Sequence, residues 1–171
     1  MSNTIFTGPD EVDYRLDHLV PFTFEFELRR RTGTVIVPIY VTFSDHTYSR
    51  DPHPDEDGAW LLPPVPGKPD RRFCPDRWEF SQDLPQLVRD FLSAGNKTCR
   101  VLDRRSSYLR IERDGLAQFV GWYLFFDLER RTSPHTIRMT FRSAHHRDAL
   151  PGNDLGKSPV QIWKLIDQLT P

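Results

Sequence analysis

The sequence predicts an α+β domain: an antiparallel sheet of about five to six strands with two main helices packed on it. Three observations predict it. Residues 22–28 alternate apolar and polar side chains, residues 84–95 carry apolar side chains at helical spacing, and residues 98–143 hold successive strand-like segments joined by short turns.

In chain order, Phe22, Phe24, Phe26 and Leu28 share one side of an extended segment, and Thr23, Glu25 and Glu27 share the other. Arg31-Thr32-Gly33 reads as a hairpin turn. A more apolar strand follows over 34–44, with Val35, Val37, Ile39, Val41 and Phe43 on one face. Pro38 has no N–H, which predicts an edge or a bulge there. Residues 51–72 are rich in proline and charge and read as one long loop. Leu84, Leu87, Val88, Phe91 and Leu92 mark a helix over 84–95, with Ser81 or Asp83 as cap, Pro85 in the first turn and Gly95 at its end. Strands are expected at about 98–102, 108–113, 117–128 and 136–143, with Asp114-Gly115 as a hairpin signal. The run Phe119–Leu128 is apolar on both faces and is the expected central strand. Ser158-Pro159 with Gln161 predicts the start of a last helix that reaches about residue 169. The whole is one domain, 1–171.

No apolar run approaches the length of a membrane span, and residues 1–20 hold four acids and no apolar signal core. Two cysteines are too few for a disulfide framework, so a soluble cytoplasmic setting without a membrane is expected. Charge is unevenly distributed. Residues 1–28 carry six acids against Arg15 alone, whereas residues 97–147 carry eleven bases against five acids. Arginine outnumbers lysine 19 to 4, and its forked donor suits phosphate or carboxylate, although a bias toward arginine codons gives the same composition. The acidic start can face a basic partner or shield the basic half of its own molecule.

Two polar strand ends carry the candidate chemistry. After Phe43 come Ser44-Asp45-His46-Thr47-Tyr48-Ser49-Arg50, where His46 can move a proton, Asp45 or Tyr48 can orient it, and Arg50 can bind an anion. After Phe141 come Arg142-Ser143-Ala144-His145-His146-Arg147-Asp148. Strand alternation puts Arg142 with Ala144 and Ser143 with His145. Cys74 is flanked by Arg71, Arg72 and Arg77, which favour thiolate; the plainer reading is a small side chain beside Pro75. Cys99 is expected simply to pack, and Trp122, Tyr123, Phe125 and Phe126 to belong to the core. His46, His53, Cys74, His145 and His146 are ligand types that suit zinc, but no spacing matches a compact zinc signature, so neither metal nor cofactor is expected. Arg100, Arg104, Arg105, Arg110 and Arg113 with Tyr108 suit a nucleic-acid backbone and a stacked base, or an exposed face balanced by acids.

A helix at 84–95, strands from 98 to 143 and the closing Phe141-Arg142-Ser143-Ala144-His145 resemble the small RNase toxin-like domains of bacteria and phages, of the barnase, EndoU, colicin and RelE type. The resemblance covers about half the chain and implies metal-independent RNA cleavage. The expected function is an RNase-like or nucleotide- or phosphodiester-directed hydrolase. Its catalytic set is His46, His145, Tyr48, Ser143 and Cys74, with Arg50, Arg77, Arg142 and Arg147 binding phosphate. The alternatives are a non-catalytic module that binds nucleic acid or a protein partner, and a thiol or zinc enzyme using Cys74 and His46.

Overall fold

The computed structural model describes residues 5–94, 98–101, 106–110, 121–132, 135–146 and 159–171. The strands are β1 (Ile5–Thr7), β2 (Asp13–Arg15), β3 (Phe22–Arg30), β4 (Gly33–Phe43), β5 (Ser49–Arg50), β6 (Arg72–Phe73), β7 (Thr98–Val101), β8 (Ser106–Arg110), β9 (Trp122–Thr132), β10 (His135–His146) and β11 (Pro159–Gln161). The helices are α1 (Pro75–Ala94) and α2 (Ile162–Leu169). The α+β class and the two helices agree with the sequence.

The main sheet has seven strands in the order β11-β7-β8-β9-β10-β4-β3, with small two-stranded sheets β1-β2 and β5-β6 beside it. It is larger than the expected five to six strands, and it is mixed. β4 and β10 run parallel, from Ile39 beside Ile137 to Phe43 beside Phe141. The other pairs of the sheet are antiparallel. Purely antiparallel pairing is what short turns between neighbours would give. The chain instead travels through β5, β6, α1 and the three strands β7–β9 before β10 returns beside β4, and so long a connection permits a parallel partner.

β9 takes the middle position, as its two-sided apolar run predicts. The core lies between one sheet face and α1. Val37, Ile39 and Val41 of β4, Met139 and Phe141 of β10, and Leu124 and Phe126 of β9 meet Phe80, Leu84, Val88 and Phe91 of α1. Phe80 and Trp122 stack with ring centres 4.1 Å apart. Each such side chain contributes roughly 1.5–3 kcal/mol by leaving water. Cys99 is buried, as expected, and burial pushes its thiol up to about 12.

Three local expectations need correction. Pro38 lies in an interior strand, but the ladder to β10 begins only at Ile39, so among the described residues Pro38 is paired with β3 alone and the strand is locally an edge there. The helix starts nine residues early, at Pro75, so Pro85 falls inside it and neither Ser81 nor Asp83 is the cap. Cys74 precedes the first turn, and its carbonyl accepts the Trp78 N–H at 2.9 Å. At the end of the chain Pro159–Gln161 pair with β7 as a strand, and α2 begins only at Ile162, so the expected serine-proline start is displaced. Asp114-Gly115, Gly95, Phe119 and Ser158 lie outside the described residues.

A second, aromatic cluster sits beside the main core. Phe6, Tyr14, Trp60 and Phe73 pack together, with Phe6 and Phe73 stacked 4.5 Å apart and Trp78 edge-on to Tyr14 at 5.0 Å. It pins the Pro-rich loop and the N-terminal strands to the first turn of α1. Nearby, Ser81 Oγ donates to the Trp78 carbonyl and therefore accepts from His18 Nε2 at 2.8 Å. Burial lowers the pKa of His18. Among the described residues no helix is long and apolar enough to cross a membrane.

Candidate active site

The parallel pair builds the site. Two parallel neighbours end on the same side of a sheet, so the polar segments after Phe43 and Phe141 lie together although 98 residues separate Ser44 from Arg142. The Ser44 N–H donates to the Phe141 carbonyl at 2.9 Å, and Ser44 Oγ donates to the Arg142 carbonyl. A single 3₁₀ turn, Asp45–Thr47, then presses against the rest of β10. Buried Thr47 and Ser49 hold this turn: Thr47 Oγ1 donates to the Ser44 carbonyl and Ser49 Oγ to the Asp45 carbonyl, both at 2.7 Å.

Arg77, in the first turn of α1, ties the two segments to each other. Its guanidinium donates to the His46 carbonyl at 3.2 Å, to the Ser49 carbonyl, and to His145 Nδ1 at 2.7 Å. Arginine can only donate, so Nδ1 is the acceptor and the His145 proton sits on Nε2. Burial lowers the pKa of Arg77, yet a guanidinium remains charged across the physiological range.

The His46 ring stands 3.7 Å from the Asp45 carboxylate. Burial, and then the Arg71 charge, lower its pKa against the opposing pull of Asp45. Tyr48 accepts the Cys74 N–H on its carbonyl at 3.0 Å, and burial raises the pKa of its phenol. Cys74 therefore joins this turn to the start of α1. The Arg50 guanidinium is held charged chiefly by a two-pronged contact with Glu56, and the Cys74 thiol lies beside it. The same contact pulls the Glu56 carboxyl down to about 2. Arg71 is buried, and it donates to Ser49 Oγ at 3.2 Å and to the Asp51 carboxylate.

His46, Tyr48, Arg50, Cys74, Arg77 and His145 thus gather in one region. The second polar end is altered by a bulge between Phe141 and Ser143. Arg142 is the extra residue; it reaches Asp127 at 3.1 Å, while Ala144 is fully buried on the core face. The expected pairing of Arg142 with Ala144 on one side therefore fails, because a bulge resets the alternation. Ser143 and His145 keep their shared side, opposite Phe125 and Tyr123. Arg147, Arg104, Arg105 and Arg113 lie outside the described residues. Among the described residues no three or more His, Cys, Asp or Glu side chains gather as metal ligands.

Asp51 and Glu56, which neutralise Arg71 and Arg50, were not anticipated. The available signal was charge matching: Asp51, Asp55, Glu56 and Asp57 fall between Arg50 and Arg71-Arg72 in the Pro-rich loop. No curated protein and no solved structure matches the chain. The model of the YjaZ family matches residues 4–170, and the chain belongs to that family.

Proposed function

We propose that this YjaZ-family chain is a phosphodiester-directed hydrolase of RNase-like type, acting through His46 and His145. The observation that carries the reading is the Arg77 guanidinium, which holds the His46 turn and the His145 ring to one point at the carboxyl ends of β4 and β10. A lowered pKa leaves His46 neutral at pH 7, the form that accepts a proton. His46 takes the proton of a ribose 2′-OH, the 2′-oxygen bonds to phosphorus, and the bond from phosphorus to the 5′-oxygen breaks. That leaving oxygen takes a proton from a donor in the site. Tyr48, kept protonated by burial, fits this role, and the N–H at His145 Nε2 suits a phosphoryl oxygen. Arg50 and Arg142 meet phosphate while sharing their five donors with Glu56 and Asp127. Free Cys74 and Cys99 fit a reducing, cytoplasmic setting.

The test is cleavage of a labelled RNA oligonucleotide. His46→Ala is expected to lower the rate about 100-fold, and the wild-type rate to rise with pH as His46 loses its proton. Absence of cleavage by the wild type from about pH 5 to about pH 9, with or without divalent metal, rejects the reading. One observation favours a second reading, a binding module. Arg50, Arg71 and Arg142 each already meet a carboxylate, an arrangement that also suits a purely structural role. Binding of RNA that weakens steeply with salt supports the nucleic-acid version, and salt-independent binding of a protein supports the other.

A further inference from the structure

The sheet ends on β3, whose outer side no strand covers among the described residues. In an antiparallel ladder every second residue turns its N–H and C=O away from its neighbour, so among the described residues this edge presents ladder groups that no strand pairs. A groove of about 710 Å³ runs along it, beside six consecutive β3 residues from Phe24 to Arg29, and is walled by Leu92 at the end of α1 and Trp163 of α2. Six residues of strand span roughly 20 Å.

The side chains along this edge follow a simple rule. Phe24, Phe26 and Leu28 belong to or pack on the core. Glu25 and Glu27 are exposed on the opposite side and meet no hydrogen-bond or ion-pair partner among the described residues. Other acids of the N-terminal region are engaged: Asp10 accepts from Tyr14, Asp13 from Thr7 and Asp17 from Arg15. Among the described residues Glu11 also meets no side-chain partner, but it lies in the turn between β1 and β2, so on the sheet edge the open acidic charge is Glu25 and Glu27.

We propose that the β3 edge binds an extended segment of a partner protein in which apolar and basic residues alternate. The segment adds a strand to the sheet by backbone pairing. Its apolar side chains enter the groove toward Trp163 and Leu92, and its lysines or arginines lie across from Glu25 and Glu27. The same glutamates repel an acidic strand, so one pair of charges both admits and refuses. This site is separate from His46 and His145, and its occupancy is independent of RNA cleavage.

The probe is a fluorescent six-residue peptide of alternating lysine and valine, titrated against the full chain by anisotropy. Binding is expected, with faster-exchanging β3 amides becoming protected. The double variant Glu25→Lys/Glu27→Lys should weaken binding about tenfold or more, and N-methylation of alternate peptide amides should abolish it. His46→Ala should bind as the wild type does. Equal affinity for a glutamate-valine peptide, no effect of N-methylation, or self-association through β3 in place of peptide binding overturns the proposal.

Discussion

The carboxyl ends of β4 and β10 and the outer edge of β3 are both polar, and they treat charge in opposite ways. At the strand ends Arg50 meets Glu56, Arg71 meets Asp51, and Arg77 meets two carbonyls and an imidazole. On β3, Glu25 and Glu27 meet nothing among the described residues. A buried or half-buried guanidinium needs partners, because leaving it bare costs more than its pairing returns. An exposed glutamate has no such need, since water already solvates it. Charge at the first place therefore holds the loop, and charge at the second is open to a partner.

Removing Arg77 breaks the contrast most severely. Arg77→Leu leaves two carbonyls and His145 Nδ1 without their donor, and denaturant unfolding should show a loss of about 3 kcal/mol at unchanged slope. Ser49→Ala comes next. Ser49 is fully buried and serves both Arg71 and the Asp45 carbonyl, so the loss should be about 1–2 kcal/mol.

Acid should then loosen two places, the His46 turn and the contact of His18 with Ser81 of α1. His18 and His46 have folded pKa values below their ordinary 6.5, so the unfolded chain binds protons more readily. Stability contributed by these groups is complete above about pH 6.5 and falls as pH drops through their depressed values. Glu56 adds a further loss between its ordinary 4.5 and about 2. A melting curve against pH should bend downward below about 6.5, and less so in His18→Asn. A flat curve from pH 7 to about 5 would contradict this assignment. The smallest effect belongs to β3: Glu25→Gln/Glu27→Gln should change stability by less than about 0.5 kcal/mol, measured by the same unfolding. A larger loss would mean that these glutamates serve the fold.

Much of the architecture was legible in local pattern. The alternation from Phe22 to Leu28 became β3 with its buried and exposed sides, the two-sided apolar run became central β9, and Cys99 packed as its strand position suggested. The start of α1 was less legible, because Pro85 looks like a first-turn residue, whereas packing of Phe80 against Trp122 carries the helix back to Pro75. In the candidate site, His46, His145, Cys74 and the arginines around them stood out by type. Their counterions Asp51 and Glu56 did not, because ion pairs across a loop leave no periodic trace.

Local pattern is enough to show which residues are apolar, at what period they recur, and that two polar segments follow two apolar strands. Those are properties of neighbours two to four residues apart. Three features emerge only in the folded chain: β4 and β10 run parallel, a bulge turns Arg142 away from Ala144, and Arg77 joins a carbonyl of the His46 turn to His145, 68 residues beyond Arg77. Strand direction and long-range contacts depend on the path of the intervening chain, and a period of two is the same for a parallel neighbour as for an antiparallel one.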